Sequence, residues 1–245
     1  MLKIKSVNKL ALASVVLSTL AGCHSFDSGV EARLAKLEAQ QQQDQQVLHE
    51  VTRRVGLGEL VRPTSLSFDN AAIEGKVEAP VVLMEFTDLH CPYCKDFNTT
   101  IWPELEKQYV ETGKLVLVAH DFPLVSLHPR AGFAALALRC ASQQADYAKV
   151  KQSLFEMNAA QEEQFAQLEK DYNLDSEKFS NCMKDPVMQA KVNASVKVGR
   201  DMGIKSTPTF LLGRNENGKL VDFEVITGAK DSAFFIEKIE ALLAK

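Results

Sequence analysis

The sequence predicts an α/β domain with a helical insertion, preceded by an N-terminal helical segment. Three observations support this prediction. An apolar run over residues 80–86 suits a buried strand, residues 128–202 show no strand-like alternation, and strand patterns return after residue 209. Strands that are interrupted by a long helical stretch and then resume are typical of one mixed sheet with helices packed against it.

The predicted domain begins in the order strand, strand, helix, strand. The strands cover residues 66–68 and 81–86, the helix covers 94–109, and the next strand covers 115–119. Pro103 lies inside the helix and should kink it after Trp102, because proline lacks the amide donor and clashes with the preceding turn.

The second half of the domain is predicted to be helical first and then to return to strands. Predicted helices cover residues 131–141, 147–157, 161–172 and 176–183, followed by strands at 209–212 and 220–226 and a helix at 232–243. An Asn-Glu-Asn-Gly turn at residues 215–218 separates the last two strands. The domain should therefore span residues 66–245, with the insertion at about 128–202.

The N-terminus has the pattern of an export signal. Three lysines stand before an apolar run at residues 10–20, which is too short to span a bilayer comfortably. The following Leu20-Ala21-Gly22-Cys23 resembles the lipobox of bacterial lipoproteins, and an ordinary signal peptide with a chance cysteine is the alternative. The resemblance implies that residues 1–22 are removed, that Cys23 is lipidated, and that the chain faces the periplasm from the cell envelope. His24 stands where inner-membrane retention would require Asp, which favours the outer membrane.

Residues 23–65 are predicted to form a tether, a helical segment and a linker. Between residues 30 and 55, two interleaved series of positions follow coiled-coil heptads. They are Val30, Leu37, Asp44 and Val51, and Leu34, Gln41, Leu48 and Val55. Because six of these eight are apolar, the segment predicts a homo-oligomer through a short coiled coil, and a solvated spacer is the alternative.

Composition excludes some partners and limits the roles of the cysteines. The net charge of -4 and the pI near 5.8 give no basic surface, so nucleic acid is not an expected partner. Of five cysteines, Cys140 and Cys182 lie on two predicted helices of the insertion. An oxidising compartment favours a structural disulfide between them, and two buried free thiols are the alternative.

Cys91 and Cys94 form a Cys-Pro-Tyr-Cys motif directly after the predicted buried strand and near the start of a helix. Amide groups and the helix dipole stabilise a thiolate there, so Cys91 is expected to react and Cys94 to resolve the mixed disulfide. The alternatives are half of a zinc site, haem attachment and an inert disulfide. Zinc would need a second ligand pair that the sequence lacks, and haem would need His where Lys95 stands. No metal or cofactor is expected.

Glu85 is the one acid in the predicted central strand. A buried carboxylate without a partner is costly, so this group is a candidate to exchange a proton with Cys94. The alternative is an acid at the sheet edge that pairs with a lysine. His90 precedes Cys91 and could donate to its thiolate when charged, but an exposed loop histidine is the simpler interpretation.

Six motifs together resemble the DsbA-like branch of the thioredoxin superfamily over residues 66–244. They are Glu85-Phe86, Cys91-Pro92-Tyr93-Cys94, Asp121-Phe122-Pro123-Leu124, His128-Pro129, Arg139-Cys140-Ala141 and Thr207-Pro208-Thr209. The resemblance implies a thioredoxin fold and a cis peptide bond before Pro208. It also implies that Thr207, Pro208, Pro92 and Tyr93 face an extended substrate and that the Thr207 hydroxyl tunes the Cys91 thiolate.

The same resemblance implies a protein thiol-disulfide oxidoreductase. Its partners would be proteins with thiols or disulfides and a redox partner protein. Oxidase, isomerase and reductase all stay open at this stage, although the oligomerising segment and the Thr before the proline favour an isomerase. The alternative is a non-catalytic chaperone or assembly module built on the same fold.

Overall fold

The computed structural model describes residues 29–41, 43–45, 47–48, 50–52, 54–55, 62–157 and 162–244. The predicted leader at residues 1–22 and the predicted lipidation of Cys23 lie outside the described residues. Within the described ranges, no helix is both long enough and apolar enough to cross a membrane. The chain divides between Val61 and Arg62 into an N-terminal and a C-terminal unit.

In the N-terminal unit, the described residues from 29 to 54 are helical. Six apolar side chains of the predicted heptad positions are between 51% and 66% exposed, and we call them the apolar stripe. They are Val30, Leu34, Leu37, Leu48, Val51 and Val55. Gln41 and Asp44 interrupt the stripe, and Asp44 accepts a hydrogen bond from Gln40 over 3.0 Å. Self-association through the stripe stays a prediction.

In the C-terminal unit, six strands form one mixed sheet in the order β1-β6-β5-β3-β4-β2. They are β1 (Ser65–Ser67), β2 (Ala72–Glu74), β3 (Val81–Thr87), β4 (Leu115–Asp121), β5 (Thr209–Asn215) and β6 (Lys219–Thr227). β3 and β4 run parallel, and the other neighbouring strands run antiparallel. Glu85 on β3 is paired with Ala119 on β4 and with Phe210 on β5, so this acid lies at the centre of the sheet.

Helices connect the strands. The helical run after β3 consists of α1 (Pro92–Asp96), a π-helical stretch (Phe97–Ile101), α2 (Trp102–Leu105) and a second π-helical stretch (Glu106–Val110). The insertion between β4 and β5 contains α3 (Ala131–Ala141), α4 (Tyr147–Met157), α5 (Glu162–Asp171), α6 (Ser176–Met183) and α7 (Pro186–Asp201), and α8 (Ser232–Leu243) follows β6.

An apolar layer covers each face of the sheet. On one face, the rings of Phe97, Phe210 and Phe235 pack with centroid distances from 4.4 to 5.4 Å. On the other face, Phe86 packs edge-to-face against Phe122 at 6.1 Å. All seven residues of β3 are buried, as its nearly continuous apolar sequence predicts for a strand covered on both sides.

The insertion packs against Cys91-Pro92-Tyr93-Cys94, which we call the CxxC motif. Its buried side chains, such as Leu138 and Leu154, belong to the same apolar cluster as Cys91 and Cys94. A disulfide joins Cys140 on α3 to Cys182 on α6, with an S–S distance of 1.99 Å and 5.7 Å between the Cα atoms. The insertion is therefore cross-linked close to the helix that lies beside the CxxC motif.

Two elements lie outside the predicted ones. β2 is an edge strand of three residues, which is too short to show a strand pattern in the sequence. α7 lies in a part of the insertion for which no helix is predicted, although Asp185 caps it and Pro186 occupies its first turn. Both are known signals of a helix start, so α7 could have been found from the sequence.

The helical run after β3 differs from its prediction at both ends and in its middle. It begins at Pro92 rather than at Cys94, because Cys91 takes the N-cap position. It ends at Val110, one residue beyond the predicted end, and it contains a π-helical stretch at Phe97–Ile101 just before the proline-containing turn. Irregular hydrogen bonding of this kind accommodates the donor that proline lacks.

Candidate active site

The CxxC motif lies where β3 gives way to the helical run. Cys91 has extended backbone angles (φ -79, ψ 121) as the N-cap, and Pro92 follows in the first turn, where a helix tolerates a missing amide donor. Cys91 is 6% exposed, Cys94 is 0% exposed, and Tyr93 between them is 67% exposed. Thus Cys91 is the sulfur that an incoming substrate can reach.

The surroundings of Cys91 favour the thiolate form of its side chain. Its pKa is lowered to about 5, first of all by a hydrogen bond from the Cys94 thiol. Burial opposes this effect, while the Thr207 hydroxyl and the backbone amides of Cys94 and Tyr93 add to it. Two of these donors are amides of the first helical turn, which is an environment that generates reactive cysteines.

Cys94 has the opposite character. Burial raises the pKa of Cys94 well above its ordinary value, and donation to Cys91 raises it further. The Asp88 backbone amide and the Thr87 hydroxyl oppose these effects. The two sulfurs therefore differ in state. The Cys91 sulfur is ionised and accessible, and the Cys94 sulfur is protonated and enclosed.

Thr207 and Pro208 lie against Cys91. The peptide bond between them is cis. The Cys91 Sγ lies 3.4 Å from the Thr207 carbonyl oxygen, although the two residues are far apart in sequence. Among the described residues, the buried Thr207 hydroxyl has no hydrogen-bond partner, so it is available to donate to the Cys91 thiolate.

Glu85 is buried at the centre of the sheet, and it has two partners. Its Oε1 accepts a hydrogen bond from the Asn98 side chain over 2.8 Å, and its Oε2 lies 2.7 Å from the Lys151 Nζ. The Asn98 amide also donates to the Cys94 carbonyl over 2.9 Å. The Asn98 side chain thus links the Glu85 carboxylate to the backbone of Cys94. Glu85 was expected to be a buried acid without a partner, or else an acid at the sheet edge paired with a lysine. Both expectations are corrected, because Glu85 forms a buried ion pair with Lys151 in the interior.

Lys151 stands between two acids. It is 3% exposed, and its Nζ lies 4.0 Å from Glu74 Oε1 as well as beside Glu85. Burial acts to lower the pKa of Lys151, but the charges of Glu85 and Glu74 outweigh it and raise the pKa. Lys151 is therefore a permanent cation within the protein.

Asp88 fixes the loop around the motif. Its carboxylate accepts hydrogen bonds from the His90 amide (2.8 Å), the Leu124 amide (2.7 Å) and His128 Nδ1 (2.9 Å). The Asp88 carbonyl also accepts from the Cys91 amide over 3.0 Å. The segment that follows β4 is thereby held beside Cys91, and the His90 and His128 rings lie 6.4 Å apart.

Sequence reasoning missed Asn98, Lys151, Glu74 and Asp88. Lys151 did carry a signal, since it lies between the buried Val150 and Leu154 on the apolar side of α4. A lysine at such a position must find a buried acid. Asn98, Glu74 and Asp88 are polar residues whose partners are distant in sequence, and nothing local marks them.

A comparison with protein families decides the affiliation. A family model described as thioredoxin matches residues 69–230, which is more than half of the chain. The chain belongs to the thioredoxin family. Among solved structures, it resembles alpha-DsbA1 of Wolbachia pipientis, with a TM-score of 0.64 and 24% identity over 76% of this chain and 95% of that chain. It also resembles BdbD of Bacillus subtilis, with a TM-score of 0.61 and 24% identity over 75% of this chain and 97% of that chain. The predicted DsbA-like thioredoxin fold is confirmed.

The curated relatives match over shorter stretches. A probable disulfide bond formation protein D of Bacillus cereus is 38% identical over 61 residues, which are 25% of this chain and 28% of that protein. The chain spans about a quarter of the length of the curated relatives that it matches first, from 24% to 28%. Within the described ranges, no three His, Cys, Asp or Glu side chains are grouped so that they could hold a metal ion.

Proposed function

We propose that this chain is a protein thiol-disulfide oxidoreductase that exchanges disulfides with protein substrates through Cys91 and Cys94. The observation that carries the proposal is the contrast between the two sulfurs. Cys91 is accessible with a pKa of about 5, whereas Cys94 is enclosed with a raised pKa. The names of relatives, such as a disulfide bond formation protein of Bacillus cereus, agree with this chemistry.

The reaction consists of two exchanges. The Cys91 thiolate attacks a substrate disulfide, one substrate sulfur leaves as a thiolate and takes up a proton, and a mixed disulfide remains on Cys91. Cys94 then loses its proton and attacks the Cys91 sulfur, which releases the second substrate sulfur. The substrate gains two electrons and the CxxC motif loses two. The reverse sequence oxidises a substrate dithiol.

Substrates bind as extended segments across the entrance to Cys91. Pro92 and Tyr93 form one side, and Thr207 and Pro208 form the other. This assignment is supported by the exposed Tyr93 ring and by the contact between Cys91 and the Thr207 carbonyl. Glu85 acts as the proton acceptor for Cys94, and what supports this assignment is its burial beside the motif, where Asn98 donates both to Glu85 and to the Cys94 backbone carbonyl.

The protein works in the bacterial cell envelope, facing the periplasm, with a lipid on Cys23 that anchors it to the outer membrane. The lipobox-like pattern at residues 20–23 supports the anchor, and His24 supports the outer membrane. The bond between Cys140 and Cys182 agrees with an oxidising compartment. A separate redox protein resets the CxxC motif after each reaction.

Among the directions of exchange, isomerisation is favoured by the apolar stripe. An exposed face with heptad spacing and six apolar side chains is suited to pair with a second copy of this chain. An oligomer would hold several active sites near one misfolded substrate at high effective concentration. This arrangement benefits an isomerase more than an oxidase.

The direct test of the proposed chemistry is insulin reduction. The wild-type protein should reduce insulin, and a Cys91→Ser, Cys94→Ser variant should not. A Cys140→Ala, Cys182→Ala variant is the matched control, because it also loses two sulfurs but retains the CxxC motif. If the wild type fails to reduce insulin but suppresses its aggregation as strongly as the serine variant does, the protein is a chaperone.

The test of the oligomer compares two chain lengths without lipid. A chain that starts at residue 24 should be a dimer or trimer in light scattering, and one that starts at residue 62 should be a monomer. The shorter chain retains the complete cores on both faces of the sheet, so it should still reduce insulin. Its activity on scrambled ribonuclease should fall. Equal isomerisation by both chains would make residues 23–65 a spacer.

A further inference from the structure

A cavity of about 190 Å³ lies beside β2 at one edge of the sheet, between the end of α3, the start of α4 and α7. We call it the side cavity. Its wall contains charged and polar side chains as well as the apolar Ala71, Ala119 and Met188. Neither cysteine of the CxxC motif lines it, so the side cavity is separate from the candidate active site.

The guanidinium of Arg139 lines the side cavity and is held by three hydrogen bonds. Its Nε donates to the Asp121 carboxylate, and its Nη2 donates to the Asn70 carbonyl over 2.6 Å and to the Ser195 hydroxyl over 2.8 Å. Among the described residues, Nη1 has no acceptor. Asp121 is the only acid in the described wall of the cavity, and it is already paired. A fixed cation therefore keeps unused N–H groups.

The hydroxyl of Tyr147 is a second donor without an acceptor. Its ring is anchored, because it packs against two apolar clusters and lies 5.7 Å from the Lys151 Nζ. The hydroxyl makes no hydrogen bond to any described residue. Burial raises the pKa of Tyr147 well above its ordinary value, so the hydroxyl remains protonated and can donate at neutral pH. An enclosed hydroxyl of this kind is more stable when a bound molecule accepts its hydrogen.

The remaining wall selects the charge and the shape of such a molecule. Lys191 on α7 is exposed and makes no ion pair with the described residues, so the wall contains two cations and one paired acid. This charge favours an anion. The side chains of Ala71, Ala119 and Met188 offer carbon atoms to the rest of the ligand. The volume exceeds that of one water molecule several times, so a short aliphatic chain fits.

We infer that the side cavity is a binding site for a small aliphatic carboxylate. The carboxylate accepts hydrogen bonds from Arg139 Nη1 and from the Tyr147 hydroxyl, with Lys191 as the second cation. Charge-assisted hydrogen bonds of this kind are the strong ones. The aliphatic chain covers the apolar part of the wall and removes it from water. Binding involves no covalent step and does not depend on the proposed exchange reaction.

The test is a titration of the chain that starts at residue 24 with hexanoate, followed by two-dimensional amide NMR. Shifts should saturate with a dissociation constant in the low millimolar range, as expected for a ligand of about eight non-hydrogen atoms. They should be concentrated at residues 139–147 and 188–191. Acetate lacks the chain and hexylammonium has the opposite charge, so both should bind at least about tenfold more weakly.

Variants of the wall test the contacts separately. Tyr147→Phe retains the packed ring and should weaken hexanoate binding about fivefold, the loss that corresponds to one hydrogen bond of average strength. Lys191→Gln should weaken it about twofold and make it less sensitive to salt. Ala71→Met, which places carbon atoms in the cavity, should prevent binding. Lys184→Gln is the matched control, because it removes an exposed lysine of the insertion outside the cavity and should leave the affinity unchanged.

Several results would overturn the carboxylate site. They are the absence of saturable shifts in the wild type, shifts concentrated at the CxxC motif, and hexylammonium binding as tight as hexanoate binding. Unchanged hexanoate affinity in both Tyr147→Phe and Lys191→Gln would overturn it as well. The amide spectrum of each variant shows whether it is folded, and if Ala71→Met is not, the comparison of the three ligands and of the other variants decides.

Discussion

The thiolate of Cys91 is the feature whose consequences can be worked out most fully, and pH is the perturbation that tests it. With a pKa of about 5, Cys91 is about 99% ionised at pH 7, whereas a free cysteine with a pKa of about 8.5 is about 3% ionised. Alkylation of Cys91 by iodoacetamide should therefore be nearly independent of pH above about pH 6. The absorbance of the thiolate at 240 nm should give the same midpoint, with Cys91→Ser as the control that lacks this transition.

The same pKa makes the stability of the reduced protein depend on pH. Because the pKa is lower in the folded than in the unfolded chain, the thiolate stabilises the fold, and this contribution is lost as pH falls toward 5. Integration from about pH 5 to 7 gives up to about 2.7 kcal/mol, which solvent screening at the entrance reduces to about 1 to 2 kcal/mol. The oxidised protein has no such contribution.

Urea unfolding of the reduced and oxidised proteins at pH 5 and pH 7 measures this contribution. Reduction should stabilise the protein more at pH 7 than at pH 5, by about 1 to 2 kcal/mol. A difference between the two redox forms that does not change with pH, or one that grows toward pH 5, would refute the assignment of the thiolate to Cys91.

Two further predictions concern stability. Lys151→Met should lower the free energy of unfolding by about 3 to 5 kcal/mol in urea titrations, because it leaves the buried Glu85 carboxylate without its cation. Adding Glu85→Gln should restore most of the loss, Lys149→Met on the exposed side of α4 is the control, and a harmless Lys151→Met would contradict the ion pair. Replacing both Cys140 and Cys182 by Ala should cost up to about 4 kcal/mol, because the disulfide closes a loop with a sequence separation of 42. Alkylation of both thiols in the unreduced wild-type protein, seen by mass spectrometry, would show that the bond does not form.

The sequence was sufficient for the features that neighbouring residues determine. The position of Cys91 at a helix start follows from the buried strand before it and Pro92 after it, and β3 follows from its nearly continuous apolar residues. The turn between β5 and β6 is of the same kind, because Asn217 and Gly218 adopt positive φ angles of 55 and 75 degrees that those residue types tolerate.

The features that depend on distant residues could not be predicted. The partner of Glu85 is Lys151, 66 residues away on a helix of the insertion, so the acid looked unpaired in its own strand. Glu74 is also far from Lys151 in sequence. The two side chains lie close together only because β2 joins the sheet beside β4. Tertiary packing, rather than local propensity, therefore decides which charges surround Glu85.

Trapping of a mixed disulfide tests the central assignment most directly. The Cys94→Ser protein is incubated with a peptide that contains one disulfide, quenched with acid and analysed by mass spectrometry without reduction. A peptide adduct on Cys91 should accumulate, because no resolving thiol remains, and Cys91→Ser should give none under the same conditions. An adduct on Cys94 in the Cys91→Ser protein, or no adduct in either variant, would contradict thiol-disulfide exchange through Cys91.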